Sequence, residues 1–301
     1  MRLEKQSPCK VNLILNILGK RADGFHELET VMQPVNLCDA MTFERAGGSL
    51  QLTCSHPELP CDSKNLVHRA ATSFLAAANI SDGVKIHLQK NLPLAGGIGG
   101  GSANAAVTFS ALNELFGAPL PVEKLHELSA ALGSDVPFFL YDKPALATGR
   151  GEKVRTLENF LALKGRAFFL VHPGFGISTP WSYQTLARFP KDQNGTPGRA
   201  EKLVAALQIS DSLAPIGGEG RGEGAALDHF YNSLEAPAFD KFPVLQLYKE
   251  FLRENGALVS LMSGSGSTTF AIAENLKAAE TMAEKFKSQF GDKGWIATVA
   301  I

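Results

Sequence analysis

The sequence has few of the residues that mark a metal-binding, secreted or membrane protein. Only four of its 301 residues are cysteine, and none forms a Cys-x-x-Cys pair, which argues against a zinc site. No apolar stretch is long enough to cross a bilayer, and the first ten residues, MRLEKQSPCK, lack the apolar segment of a signal peptide. We therefore expect a cytoplasmic protein with reduced thiols.

An excess of charge of either sign is also lacking. The chain carries 29 basic and 30 acidic residues, a formal net charge of −1, so no global basic field attracts nucleic acid or an anionic membrane. Hydrophobic residues make up 45% of the chain and charged residues 20%, as in ordinary globular proteins. The length is enough for about two domains.

Strand and helix patterns mix without strict alternation, which favours an α+β fold over a doubly wound sheet. Alternating apolar residues predict strands that include 10–18, 29–37 and 40–46. Helical spacing predicts a helix that begins near Ser63, its candidate cap, and another over about 102–116. Glycine and proline are dense over 190–224, which predicts a mobile segment.

The stretch PLAGGIGGGSANAA, residues 93–106, places five glycines directly before an alanine-rich helix. Glycine lets the backbone approach a ligand, and the helix start offers free N–H groups and a positive dipole end. The stretch thus predicts a phosphate-binding loop, with a tightly packed strand-to-helix connection as the alternative. It is neither a P-loop nor a dinucleotide fingerprint, because Ser102 replaces the required lysine of the first and the third glycine of the second.

Four further features could carry chemistry or be structural. Asp135, in GSDVPFF, could orient or deprotonate a hydroxyl, or cap a turn. Lys10 could stabilise charge or be a solvated surface lysine. Phe25 and His26 could belong to a binding loop, or be a core residue and a turn residue. The segment SGSGST, residues 263–268, could close a site or form a hairpin turn.

Four blocks of the sequence, in order, resemble the GHMP kinases, the galactokinase, homoserine, mevalonate and phosphomevalonate kinase superfamily. The blocks are SPCKVNLILNILGKRADGFHELETVMQ, PLAGGIGGGSANAA, GSDVPFFL and MSGSGSTTFAI. Together they span nearly the whole chain. The first block resembles the members whose acceptor is a cytidine diphosphate sugar alcohol.

The resemblance implies a two-domain fold, with a ribosomal-protein-S5-like domain over 1–160 and a ferredoxin-like domain over 161–301. It implies transfer of a phosphoryl group from ATP, with Mg²⁺, to the 2-hydroxyl of 4-diphosphocytidyl-2-C-methyl-D-erythritol. This is a step of the non-mevalonate route to isoprenoid precursors. The expected protein is a monomer or weak homodimer that binds small molecules, and neither nucleic acid nor membranes.

The resemblance also implies roles for individual residues. Lys10 and Asp135 would be catalytic. Phe25 and Tyr183 would stack on cytosine, with Trp181 as a rival to Tyr183, and His26 would read the edge of the base. Asn12 and Thr179 would contact the rest of the substrate. The residues implied at the ATP site are Asn65, Leu66, Pro93, Leu94, Ala95, Gly96, Gly97, Ile98, Gly99, Gly100, Gly101, Ser102 and Ala103.

Departures from the family pattern leave alternatives open. Ala95 and Gly96 invert a common Gly-Ala order, Ala103 replaces a second serine, and Phe25 replaces a more frequent tyrosine. If the missing hydroxyl at 103 matters, Ala103→Ser should tighten ATP or Mg²⁺ binding. One alternative is a GHMP kinase acting on homoserine or a mevalonate-type alcohol, and another is a catalytically inactive binding protein. A NAD-dependent dehydrogenase is more distant, because the dinucleotide fingerprint fails.

Overall fold

The computed structural model describes residues 2–210, 212–213 and 226–301, and it has eleven strands and nine α-helices in these ranges. The strands are β1 (Arg2–Lys20), β2 (His26–Ala46), β3 (Gln51–Cys54), β4 (Gly83–Gln89), β5 (Ala145–Gly149), β6 (Lys153–Thr156), β7 (Ala167–His172), β8 (Tyr231–Asn232), β9 (Val259–Met262), β10 (Thr269–Ala273) and β11 (Trp295–Ala300).

The α-helices are α1 (Leu66–Ala77), α2 (Gly100–Leu115), α3 (Val122–Leu132), α4 (Thr179–Thr185), α5 (Pro190–Gln193), α6 (Arg199–Leu207), α7 (Glu235–Lys241), α8 (Pro243–Glu254) and α9 (Leu276–Phe290). Short 3-10 helices lie at Pro137–Leu140, Leu161–Leu163, Leu186–Arg188 and Ala226–His229.

The chain divides into two compact units that do not follow a single cut in the sequence. The first unit contains Met1–Cys9, Leu37–Leu94 and Gly99–Asp142, and the second contains Lys10–Asn36, Ala95–Ile98 and Lys143–Ile301. Strands β1 and β2 therefore each contribute to both units. The predicted domain boundary between residues 160 and 161 stays a prediction.

In the first unit, β4 pairs antiparallel with the second half of β2 and parallel with β3. Alternate residues of these strands point inward, as the period of two requires, and pack against α1 and α2. The largest fully buried side chains of this core are Phe43, Phe74 and Phe109. The core supports the helix that follows the glycine-rich stretch.

In the second unit, four strands form an antiparallel sheet in the order β11-β7-β10-β9. Helices α8 and α9 pack against it through Leu252, Met282 and Phe286, which face Phe169 and Val171 of β7. The unit also contains the first half of β2, which pairs antiparallel with β5, and β8, which pairs parallel with β1. A second apolar cluster, separate from the core against β7, lies around Leu15, Ile17 and Met262.

Two local predictions were wrong. The strands expected at 29–37 and 40–46 are one strand, β2, because Asp39 between them is a buried, hydrogen-bonded strand residue. Helix α1 is capped by Asn65 rather than Ser63, and the Asn65 carboxamide oxygen accepts from Val67 N at 2.9 Å. The helix expected over about 102–116 is confirmed as α2, which begins at Gly100.

The segment 190–224, predicted to be mobile, contains α5 and α6 in its first part. Residue 211 and residues 214–224 of that segment lie outside the described residues.

Candidate active site

The glycine-rich stretch is a loop with repeated left-handed backbone. Ala95, Gly97 and Gly99 have φ values of +50°, +77° and +71°. A non-glycine residue is strained in this region, and Ala95 stands where the family motif commonly has glycine. Gly99 is the N-cap of α2 and supplies no capping side chain, and the first turn of α2 contains no acidic residue. The helix start thus keeps its N–H groups and positive dipole end available to an anion.

The first half of this loop lies against the β9–β10 connection, residues 263–268. Ser263 Oγ donates to Gly97 O at 3.0 Å, and Thr268 N donates to Gly96 O at 3.0 Å. A Cβ atom at Gly97 would lie 2.1 Å from Ser263 O, so only glycine fits there. The 263–268 segment is both a hairpin connection and a direct support of the glycine loop, so the two interpretations of SGSGST are compatible.

Lys10 lies beside the same part of the loop and is only 2% exposed, which excludes the solvated surface lysine. Its Nζ donates to Gly97 O at 3.0 Å and to Asn12 Oδ1. Asn12 is held in turn by Thr30, whose hydroxyl accepts from Asn12 Nδ2 at 2.8 Å and donates to the Ile14 carbonyl. The structure thus brings Lys10, Asn12 and Gly97 together. A buried ammonium on a rigid strand can stabilise charge that develops on a bound phosphoryl group.

Asp135 lies in the first compact unit, between the end of α3 and the 3-10 helix Pro137–Leu140. It is half-buried. The residue at the N-cap position of the 3-10 helix is Val136, which makes no side-chain capping bond. Lys10 belongs to the second unit, and the proximity of Lys10 and Asp135 stays a prediction.

The predicted base-binding residues include one open ring and one enclosed ring. Phe25 is 53% exposed, and the Arg150 guanidinium lies 4.6 Å from its ring centroid. His26 is buried, and its ring centroid lies 5.1 Å from that of Tyr183 at an interplanar angle of 40°. The structure therefore brings His26 and Tyr183 together.

The His26 imidazole has unused hydrogen-bonding capacity. Its Nε2 atom is buried and has no hydrogen-bond partner among the described residues. Burial, with a smaller contribution from the Lys20 charge, lowers the pKa of His26 below its ordinary value. The ring is therefore neutral near pH 7, with one donor and one acceptor nitrogen. Such a ring suits the polar edge of a base.

Trp181 is engaged elsewhere. Its ring contacts Phe242 edge-on with centroids 6.2 Å apart, and Lys241 Nζ lies 4.4 Å from its ring centroid. These contacts of Trp181 favour Tyr183 as the partner of His26, because only Tyr183 has a described ring contact with His26.

Thr179, at the start of α4, shares a hydrogen bond of 2.8 Å with Ser265 of the 263–268 segment.

The remaining predicted ATP residues lie at the starts of two helices. Asn65 caps α1 and donates from Nδ2 to Pro60 O at 2.8 Å. A Cβ atom built at Gly101 would lie 3.7 Å from Leu66 Cδ1, so the starts of α1 and α2 are close. Ser102 is half-buried, whereas Ala103 is 0% exposed. The effect of a hydroxyl at residue 103 stays a prediction.

Sequence reasoning missed Thr30, Arg150 and Asp39. Thr30 and Arg150 act on Asn12 and Phe25 from distant positions in the chain, so no local motif reveals them. Asp39 resembled a loop residue between two strands. The signal that could have found it is an acidic residue inside an otherwise continuous apolar alternation.

Two properties concern ligands and membranes. Among residues 2–210, 212–213 and 226–301, no group of three or more His, Cys, Asp or Glu side chains could hold a metal ion. No helix in the described part of the chain is long and apolar enough to cross a membrane.

Family models and relatives agree with this geometry. Residues 65–143 match the GHMP kinases N terminal domain, and residues 218–292 match the GHMP kinases C terminal domain. A homoserine kinase structure from Cytophaga hutchinsonii has a TM-score of 0.72 over 100% of this chain and 93% of that chain, at 20% identity, which shows the shared fold. The chain thus has the two-domain α+β fold of the GHMP kinases, as predicted, and the class of small-molecule kinases is confirmed.

Closer relatives narrow the class. A 4-diphosphocytidyl-2-C-methyl-D-erythritol kinase of Acaryochloris marina is 35% identical over 95% of this chain and 92% of its own length. The kinase of the same name from Chlorobium phaeobacteroides is 39% identical over 94% and 93%. A crystal structure of 4-(cytidine 5'-diphospho)-2C-methyl-D-erythritol kinase has a TM-score of 0.78 and 33% identity, and covers 99% of this chain and 100% of that chain. The chain belongs to the 4-diphosphocytidyl-2-C-methyl-D-erythritol kinase family.

Proposed function

We propose that this protein transfers the γ-phosphoryl group of ATP to the 2-hydroxyl of 4-diphosphocytidyl-2-C-methyl-D-erythritol. The product is the 2-phosphate, an intermediate of the non-mevalonate route to isoprenoid precursors. The observation that carries the proposal is the identity of 35% and 39% to kinases of that name over more than nine-tenths of this chain. The glycine loop and the buried Lys10 beside it support the same chemistry.

In this mechanism the glycine loop and the start of α2 bind the ATP phosphates. Lys10 stabilises the negative charge of the transferring group, and its bonds to Asn12 and Gly97 hold the ammonium in place. Asp135 orients the acceptor hydroxyl and accepts its proton as the new P–O bond forms and the bond to ADP breaks. Preorganised charge and positioning supply most of the rate enhancement in phosphoryl transfer.

For the acceptor, we propose that the open ring of Phe25 stacks on cytosine and that Tyr183 lines the other face. The Arg150 guanidinium lies over one face of the Phe25 ring. The neutral imidazole of His26 hydrogen-bonds the edge of the base through its unpaired Nε2. This arrangement selects against acceptors that lack a base, such as homoserine and mevalonate.

Mg²⁺ is expected to arrive with ATP, whose phosphates supply its oxygen ligands and whose charge it neutralises. We also propose a cytoplasmic location and a monomer or weak homodimer.

The test of function is ADP release measured with the cytidylyl substrate, homoserine and mevalonate in parallel. We expect turnover with the cytidylyl substrate alone. Turnover with homoserine or mevalonate instead would assign the protein to another GHMP activity, and no ADP release with any of the three would favour an inactive binding protein.

The base pocket has its own test. Phe25→Ala should raise KM for the cytidylyl substrate by about tenfold or more, since base stacking contributes roughly 1–3 kcal/mol, while KM for ATP stays close to that of the wild type. Phe25→Tyr, which keeps the ring, is the matched control. If Tyr183→Ala leaves KM for the cytidylyl substrate unchanged and Trp181→Ala raises it, Trp181 and not Tyr183 lines the second face of the base. If the KM for ATP shifts instead, the pocket is assigned to the wrong nucleotide.

A further inference from the structure

A buried carboxylate joins the two ends of the glycine-rich stretch. Asp39 is 0% exposed, and each of its oxygens accepts two hydrogen bonds. Oδ1 accepts from Asn91 N at 2.8 Å and from Leu92 N at 2.9 Å. Oδ2 accepts from Lys90 Nζ and from Asn104 Nδ2, the latter at 3.0 Å. All five residues belong to the first compact unit.

The positions of these donors in the chain are informative. Residues 90–92 come immediately before the loop, and Asn104 lies on the first turns of α2, immediately after it. One carboxylate therefore fixes both the entry and the exit of the loop. Asn104 has a second anchor, because its Nδ2 also donates to Ser7 Oγ at 2.8 Å.

Lys90 brings the carboxylate close to the start of α2. Its side chain is 3% exposed, and a Cβ atom built at Gly100 would lie 3.1 Å from Lys90 Nζ. Gly100 belongs to the first turn of α2, whose N–H groups bind the ATP phosphates in the proposed function. Replacing Asp39 would leave the Lys90 ammonium, beside this turn, and the backbone N–H groups of Asn91 and Leu92 without their acceptor.

Stability alone is a weak reason for such a cluster. Burying an ion pair costs desolvation energy that the attraction between the charges often only balances, and an apolar replacement of both partners is frequently tolerated. Fully satisfied polar networks do, however, fix one arrangement of the elements that they join. Here the joined elements are the two flanks of one glycine-rich segment.

We propose that Asp39 is a positioning residue for the ATP phosphates, acting through the glycine loop and the first turn of α2. The inference rests on the proposed function, because it assumes that this loop binds ATP. Asp39 touches neither substrate in this role. It holds the N–H groups of the loop in the spacing that the phosphates require, and a displacement of about 1 Å at such a site can cost up to 100-fold in rate.

The decisive variant is Asp39→Asn, which keeps the shape but turns one acceptor into a donor that faces other donors. We expect KM and the dissociation constant for ATP to rise by about tenfold or more, while KM for the cytidylyl substrate changes by less than about twofold. Asn104→Ala, which removes only the contact to the helix, should raise KM for ATP by a smaller factor in the same direction.

Arg45→Met is the matched control, because Arg45 anchors the other end of the same helix. Its Nε and Nη2 donate to Leu115 O at 3.1 and 2.8 Å, far along α2 from the glycine loop. Thermal unfolding of both variants gives their loss of stability. We expect Arg45→Met to lower Tm without changing KM for ATP. If the role of Asp39 were merely structural, Asp39→Asn would behave in the same way.

Three results decide the matter. If the wild type binds ATP and Asp39→Asn has the same KM for ATP, or if Arg45→Met raises it equally at a similar loss of Tm, the inference is overturned while the proposed function stands. If Asp39→Asn does not fold, Asn104→Ala decides, and a wild-type KM for ATP in that variant overturns the inference. A wild type that binds no ATP overturns the proposed function, and this role of Asp39 with it.

Discussion

Replacing Gly97 with alanine separates packing from ligand binding in the glycine loop. Gly97 has φ of +77°, and an added Cβ would lie 2.1 Å from Ser263 O and 2.9 Å from Gly266 N. Both neighbours are backbone atoms, so no side chain can rotate away to make room. Either the loop or the 263–268 segment must move. Gly97 O is also the acceptor for Lys10 Nζ and Ser263 Oγ, so a movement there displaces the Lys10 ammonium.

The expected magnitude has two parts. A non-glycine residue in the left-handed region costs roughly 1–2 kcal/mol, and the backbone overlap adds to it. A loss of about 2 kcal/mol lowers Tm by roughly 4–8 °C in a domain of about 150–250 residues. Misplacing the Lys10 ammonium should also lower kcat by about tenfold or more. We therefore expect Gly97→Ala to be both less stable and less active.

Gly101→Ala is the informative comparison within the same loop. Gly101 is helical, and the nearest atom to its added Cβ is Leu66 Cδ1 at 3.7 Å, an ordinary van der Waals contact. Alanine is the better helix former by about 1 kcal/mol, so Tm should hold or rise. If the ATP phosphates approach Gly101, the same variant binds ATP more weakly.

The assays are calorimetric Tm, steady-state kcat and KM, and ATP titration for both variants. A Gly97→Ala protein with wild-type Tm and kcat would refute the packing argument. An equal loss of Tm in Gly101→Ala would refute the distinction between the two glycines, because it would show that any side chain in the loop disturbs the fold.

The remaining predictions concern charge and protonation. Lys10→Ala should lower kcat by about 100-fold, and a change in KM alone would make Lys10 a uniform binding group. Asp135→Ala should nearly abolish turnover while calorimetric ATP binding persists, and a wild-type kcat would remove Asp135 from the mechanism. Because burial and the Lys20 charge lower the pKa of His26, KM for the cytidylyl substrate should be constant above about pH 6.5 and rise only below it, and a rise near pH 8 would contradict a neutral ring. Burial lowers the pKa of His172, so the unfolded state binds a proton on this imidazole at a higher pH than the folded state does. The free energy of unfolding is therefore unaffected above about pH 6.5 and falls as the pH drops through the folded-state pKa. Urea titrations check this, and a loss of stability in acid that His172→Gln leaves unchanged would contradict it.

The local sequence pattern is enough to predict features that depend only on neighbouring residues. The helix after the glycine stretch and the hairpin turn at SGSGST follow from periodicity and turn chemistry, and the structure has them as α2 and the β9–β10 connection. Anion binding by the loop, expected from glycines directly before a helix start, stays a prediction.

Features that depend on distant contacts could not be predicted in this way. Lys10 resembled a surface lysine because its neighbours alternate in polarity, but it is buried by its contacts with Asn12 and the Gly97 carbonyl, the latter 87 residues away. Asp39 resembled a break between strands, and only its four donors, all of which lie more than fifty residues away, make it a strand residue. Sequence proximity carries no information about such partners.

The glycines of the loop illustrate how the two kinds of information combine. Gly97 is required because the backbone of the 263–268 segment occupies the space of a side chain. Gly99, the N-cap of α2, has a left-handed φ of +71°, which disfavours any residue with a side chain. Gly101 has neither constraint from the protein, since it is helical and its added Cβ meets only an ordinary contact. A helical glycine without an internal reason costs helix stability relative to alanine. We propose that the remaining reason is a ligand that approaches the start of α2 closely, and that Gly101→Ala weakens the binding of that ligand.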